Sequence, residues 1–122
     1  MSTTDSLIEL QEKIRAFVQE RDWEQFHSPK NLAMALSVEA AELLEHFQWL
    51  SQKQSLELSA DARQEVAMEM ADMLIYLCRL ADRLDIDLLA AAGEKMELNG
   101  KKYPVEQVRG RADKYTKYTG ER

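Results

Sequence analysis

Between Lys30 and Ala92 the chain contains neither proline nor glycine. Nothing there breaks a helix or opens a cheap tight turn. The apolar residues of this stretch recur at three- and four-residue spacing, and no segment shows the period-two alternation of a strand. There is no internal repeat and no low-complexity segment. The fold class this predicts is all-α, a four-helix bundle. A chain of 122 residues, 45% hydrophobic and 31% charged, is expected to form one domain over 1–122, with about 100–122 as a basic C-terminal segment.

Four helices account for the chain. The first spans about 5–21, with Leu7, Leu10, Ile14, Phe17 and Val18 at helical spacing. After the connector "DWEQFHSPKN", Ser28 as cap and Pro29 at the first helical position open the second helix, which is predicted to reach about residue 49. "SQKQSLEL" reads as a polar loop. Ser59 and Asp61 open the third helix, ending near residue 84. Asp85 is the predicted cap of the fourth, which should stop at Asn99-Gly100, a natural left-handed terminus.

The second helix carries a contradiction. At about 100° per residue, Leu32, Leu36, Leu43 and Leu50 all fall within roughly 60° of Glu39. Glu42 and His46 lie on the other flank of that stripe. The third helix repeats the pattern. Ala62, Val66, Met73, Leu80 and Leu84 lie within about 60° of Glu69 on one side, and Glu65, Asp72, Tyr76 and Arg83 on the other. An ionised carboxylate on an apolar face is costly unless something pairs with it. Packing the two faces together would gather Glu39, Glu42, Glu69 and Asp72 into one partly buried pocket. There they would repel one another unless some took up protons.

A hard divalent cation removes the conflict. Mg²⁺ takes oxygen ligands and is commonly held jointly by carboxylates and substrate phosphates. Mg²⁺ is therefore the expected cofactor, with Mn²⁺ as a substitute. A single E-x-x-E on a helix is weak support, because glutamate favours helices and usually faces water. Two such pairs on the flanks of two leucine-rich stripes are much stronger. A di-iron carboxylate centre would use E-x-x-H pairs. Here His46 follows Glu42 by four residues and the third helix has no histidine, so iron is disfavoured.

Trp23, Phe26 and His27 crowd the connector, Trp49 ends the second helix on the side of Glu42, and Tyr76 projects close to the direction of Glu69. Each aromatic alone is more simply a core cap. Collected beside a metal pocket they suggest stacking on a nucleobase. The charge is asymmetric: residues 1–94 carry 8 basic and 18 acidic side chains, and residues 95–122 carry 8 and 4. An acidic body argues against duplex nucleic acid, whereas the basic segment suits a small, highly charged anion. Together these features point to a nucleotide with its phosphates on the cation.

The motifs "EAAE" (39–42) and "EMAD" (69–72), with "RDWEQFHSPKNL", "LLEHFQWL", "MADMLIYL" and "KMELNGKKYP", resemble the all-α nucleoside triphosphate pyrophosphohydrolases of the MazG type, and among them the dCTP pyrophosphatase branch. The resemblance covers about residues 7–118. It implies Glu39, Glu42, Glu69 and Asp72 as Mg²⁺ ligands. It implies Trp23 and Trp49 as base-pocket aromatics, with His27, Asn31 and Tyr76 nearby. Lys95, Asn99 and Tyr103 match positions that reach phosphates and sugar. It also implies a homo-oligomer, a dimer or tetramer that completes the bundle. That suits the third helix, where Met70, Leu74, Ile75, Leu77 and Cys78 leave few polar directions.

The expected activity is hydrolysis of a deoxynucleoside triphosphate, dCTP or a modified cytosine analogue first, to the monophosphate and pyrophosphate. Glu42 or Glu45 would take the proton of the attacking water. A non-catalytic nucleotide-binding module and a purely structural helical oligomer are the alternatives. The single Cys78, the acidic N-terminus and the lack of any apolar run near the ~20 residues of a membrane helix predict a cytoplasmic protein without membrane contact.

Overall fold

The computed structural model describes residues 6–111, and among them every regular element is helical. These are α1 (Leu7–Glu20), α2 (Pro29–Glu45), α3 (Gln52–Leu56), α4 (Ala60–Arg83), α5 (Leu88–Lys102) and α6 (Val105–Val108), with one turn of 3-10 helix at Glu24–Phe26. They fall into two compact units that divide between Ile86 and Asp87.

In the first unit α4 is the spine, packed against both α1 and α2. Ile14 and Val18 of α1 meet Cys78 of α4, with Leu7 and Leu10 packed around them. Leu32 of α2 is 1% exposed, and Val66 of α4 is also buried. Each such side chain stabilises the unit by roughly 1.5–3 kcal/mol. Polar contacts fix the register of α1 on α4. Arg15 Nη2 lies 2.6 Å from Asp82 Oδ1 and its Nε 3.1 Å from Oδ2, a two-pronged pair. That pair holds the Asp82 carboxyl below the usual range, with Arg79 adding to the effect.

Every long helix starts on a side-chain cap. Ser6, Ser28, Ser59 and Asp87 each accept the backbone N–H three residues on, at 3.0–3.1 Å, meeting a donor the helix cannot satisfy itself. Three local expectations differ. The segment after α2 contains a helix, α3, because Ser51 and Gln54 form a reciprocal capping box. The cap of α5 is Asp87, not Asp85. Finally, α5 runs through Asn99 and Gly100 to Lys102, and neither residue adopts a positive φ. Asn-Gly permits a left-handed stop without requiring one. In the second unit Pro104 caps the short α6.

Two aspartates take the left-handed role instead. Asp22 (φ 52°) and Asp85 (φ 54°) follow α1 and α4. The next residues reach back into the helix, Trp23 N–H to the Val18 carbonyl at 3.0 Å and Ile86 N–H to the Ala81 carbonyl at 2.9 Å. This is the Schellman closure. At α1 it places Trp23 back beside Val18, which shapes the site described below. A left-handed conformation costs a residue with a Cβ roughly 1–2 kcal/mol, partly offset by glycine's greater unfolded-state freedom. Asp85→Gly should therefore raise stability by up to about 1 kcal/mol, read as a higher urea midpoint with an unchanged slope.

Candidate active site

The contact between α2 and α4 brings Glu39, Glu69 and Asp72 together, one carboxylate oxygen of each lying within 4.8 Å of the others. Glu39 Oε2 and Glu69 Oε2 are shut off from solvent and have no hydrogen-bond partner. Buried acceptors without donors are rare and costly. The electrostatic result is a Glu39 carboxyl pushed up to about 7. Burial contributes most, followed by the close approach of the Glu69 and Glu42 carboxyls and by the charges of Glu42 and Asp72. Glu42 is half-buried and interacts with Glu39 but stands outside the triplet. The triplet offers only carboxylate oxygens, with no thiolate or imidazole. Its two orphaned oxygens are what a hard cation would satisfy, so these residues fit Mg²⁺.

Beside the carboxylates opens a cavity of about 440 Å³. Glu39 from α2 and Asp72, Tyr76 and Arg79 from α4 line one part of it. Lys13, Phe17 and Val18 from α1 and Trp23 and His27 from the connector line the rest. Phe17 and Trp23 meet edge to face at 5.8 Å, and the Arg21 guanidinium sits 3.6 Å over the Phe17 ring. The connector is pinned to α4 by two arginines. Arg79 Nε donates to His27 Nδ1 at 3.2 Å, and Arg83 Nε donates to the His27 carbonyl at 3.1 Å. Burial, then the charges of Arg79 and Arg83, push the His27 imidazole below its ordinary value.

The structure distributes the expected site residues unevenly. Trp23, His27, Tyr76, Glu39 and Asp72 share this cavity. Asn31 does not line it; its Nδ2 donates to the Phe26 carbonyl at 3.1 Å and braces the connector. Trp49 is 87% exposed and outside the cavity. The α-helix ends at Glu45 and residues 46–50 form tighter turns, so the angular relation between Glu42 and Trp49 does not hold. Glu45 is exposed, about 120° around α2 from Glu39. Lys95, Asn99 and Tyr103 belong to the second unit, on α5 and at its C-terminal cap.

Lys13, Phe17 and Arg79 line the cavity without having been singled out from sequence. For Lys13 and Phe17 there was no local signal, because α1 reads as an ordinary amphipathic helix. Arg79 had one: a lone arginine inside "LIYLCRLAD" is surrounded by apolar neighbours and followed at i+3 by Asp82. A charge in such a setting is buried with its partner or not at all.

The raised Glu39 pKa has a direct consequence for stability. A carboxyl that ionises near 7 when folded and near 4.5 when unfolded favours the folded state below pH 4.5. That contribution is lost as pH rises through 7. In chelator, the melting temperature should fall between pH 5 and pH 8, and Glu39→Gln should flatten this slope by on the order of several degrees. Thermal denaturation of both proteins at stepped pH measures it.

Comparison with known proteins places these features in a family. The MazG-like family matches residues 34–117, a span that contains both carboxylate pairs. dCTP pyrophosphatase 1 of Rattus norvegicus is 46% identical over 102 residues, covering 82% of this chain and 60% of that protein. The Homo sapiens protein of the same name is 43% identical over the same shares. The chain thus spans 60% of the length of the curated relatives it matches. A crystal structure of a pyrophosphatase from Archaeoglobus fulgidus DSM 4304 superposes with a TM-score of 0.77 at 42% identity, over 85% of this chain and 97% of that one. With its helical fold and its carboxylates brought together by α2 and α4, the chain belongs to the MazG-like family.

Proposed function

We propose that this protein is a Mg²⁺-dependent nucleotide pyrophosphohydrolase. It would convert a deoxynucleoside triphosphate, dCTP or a modified dCTP first among them, and water to the monophosphate and pyrophosphate. The observation that carries this reading is the pair of orphaned carboxylate oxygens, on Glu39 and Glu69, beside a cavity walled by Trp23, Phe17 and Tyr76. The relatives named dCTP pyrophosphatase 1, at 43% and 46% identity, support it. Residues 1–122 act as one catalytic domain in this reading.

Glu39, Glu69 and Asp72, with Glu42 beside them, would hold the cation, and Mn²⁺ would serve in place of Mg²⁺. When bound, the ion supplies charge neutralisation for the triphosphate and a lowered pKa for a coordinated water. The chain's own groups do the rest. Glu42, half-buried next to Glu39, is better placed than the exposed Glu45 to take the water's proton. Trp23 and Tyr76 give flat surfaces for the base. Lys13 and Arg79 bring positive charge to a cavity that also holds two carboxylates. The assignment of Trp49 to the base, and of Lys95, Asn99 and Tyr103 to phosphates and sugar, rests on the family resemblance.

The protein acts as a homo-oligomer in this reading, a dimer or tetramer. Met70, Leu74 and Leu77 of α4, spaced i, i+4, i+7, are 57%, 43% and 37% exposed. A contiguous apolar stripe on a helix calls for a partner. Leu74→Glu should shift the sedimentation coefficient to that of a smaller species. No helix among the described residues is long and apolar enough to cross a membrane, and the lone Cys78 suits the reducing cytoplasm.

The reading is tested by assaying pyrophosphate release from all common NTPs and dNTPs, with and without Mg²⁺. dCTP should rank first and chelator should abolish turnover. Glu39→Gln and Asp72→Asn should each lower kcat on the order of 100-fold or more with the helical spectrum intact. Near wild-type turnover in both would remove the metal assignment. Trp23→Ala should raise KM about tenfold for every accepted substrate with the base ranking kept, since stacking is worth ~1–3 kcal/mol per base and is blind to base identity.

A further inference from the structure

His27 is held in the cavity wall by a contact that decides which ring nitrogen carries its proton. Arg79 Nε lies 3.2 Å from His27 Nδ1. A guanidinium N–H can only donate, so Nδ1 is the accepting, unprotonated nitrogen and the ring proton sits on Nε2. Arg79 cannot easily turn away. It is 3% exposed, its Nη1 donates to Asp82 Oδ2 at 3.0 Å, and Asp82 is clasped from the other side by Arg15. Its Nη2 is sealed from solvent without a hydrogen bond, with Glu24 Oε1 at 3.8 Å.

The imidazole is also kept neutral. Burial and the charges of Arg79 and Arg83 disfavour a second proton, with only Glu24 pulling the other way. An imidazolium would aim an Nδ1–H at the Arg79 Nε–H. Nε2 has no hydrogen-bond partner among the described residues and is not sealed from solvent. What His27 offers to an occupant of the cavity is therefore one neutral N–H donor.

We infer that Arg79 is a positioning residue that fixes His27 as an Nε2–H donor, and that this donor selects a cytosine ring over uracil or thymine. This rests on the nucleotide reading above. The rings differ at the adjacent positions 3 and 4: cytosine N3 accepts and its 4-amino group donates, whereas the N3–H of uracil and thymine donates and their O4 accepts. A donor that meets position 3 therefore finds an acceptor only on cytosine. Donor against donor leaves both N–H groups unmet in a partly desolvated site. A site built around one hydrogen bond rejects the mismatched analogue far more strongly than apolar contacts can. Trp23 and Tyr76 accept any base face, so the choice falls to the directional group.

Two measurements on the full chain test this. In the wild type, long-range ¹H–¹⁵N spectra at neutral pH should show His27 neutral with the proton on Nε2. Addition of dCMP should shift that resonance more than dUMP does. Titration calorimetry should show dCMP binding at least about tenfold more tightly than dUMP. Arg79→Lys keeps the charge but loses the Nε donor; it should mix the tautomers and reduce that preference about tenfold. Arg83→Ala frees the same segment through the His27 carbonyl alone, so it should weaken both nucleotides alike.

An Nδ1–H or charged His27 in the wild-type spectrum overturns the inference, whether or not Arg79→Lys folds. So does equal binding, or no binding, of the two nucleotides, or an Arg83→Ala protein that loses the preference as fully as Arg79→Lys. A protein that shows the tautomer and the dCMP preference but releases no pyrophosphate from any triphosphate leaves the inference standing and removes the proposed activity.

Discussion

The contact between α2 and α4 presses carboxylates together and seals one oxygen each of Glu39 and Glu69 from solvent. Packing Leu32 and Val66 out of water brings Glu39 and Glu69 oxygens into the same dry seam, because the acids occupy the edge of each helix's apolar stripe. The hydrophobic gain and the electrostatic cost are thus parts of one contact and cannot be separated by sliding one helix. A protein that keeps such an arrangement forgoes stability it could gain by replacing the acids, the usual mark of a site kept for function. With its carboxyl pushed up to about 7, Glu39 relieves part of this repulsion by taking up a proton as pH falls toward and below neutrality.

A second network does the positioning. Asp82 sits between Arg15 of α1 and Arg79 of α4, and Arg79 and Arg83 reach the connector at His27. One acid therefore ties α1 to the spine and steadies the arginine that aims the imidazole. The left-handed Asp22 turns the chain at the end of α1 and brings Trp23 into the same wall. The connector side of the cavity is built from a loop, but the loop is fastened to α4 at both backbone and side chain.

The core of the first unit is small for the number of apolar residues it carries. Only six hydrophobic residues are buried among those described, while Trp23, Met70, Leu74 and Ile75 all remain more than a third exposed. Trp23 and Ile75 line the cavity, so part of this exposure serves the site. The remainder lies on a stripe of α4 that the first unit's own helices leave uncovered.

Much of this was determined locally and so was legible in the sequence. Helix starts at Ser28 and Ser59 are set by a hydroxyl and the next few residues. The shared faces of Glu39 with Leu36 and of Glu69 with Val66 follow from helical period alone, and the all-α class follows from the missing prolines and glycines. The convergence of Glu39, Glu69 and Asp72 could be anticipated because two apolar stripes, each flanked by acids, have few ways to pack. What failed was local geometry with near-degenerate choices: α3 inside a polar segment, α5 running past Asn99-Gly100, and α2 ending short of Trp49. Tertiary structure alone decided the rest. Arg79 became a buried anchor because α4 happens to pass beneath the connector, and Lys13 and Phe17 joined the cavity because α1 packs on α4. Neither relation is written in residue spacing, since each joins segments more than fifty residues apart, whose meeting depends on the packing of the whole unit.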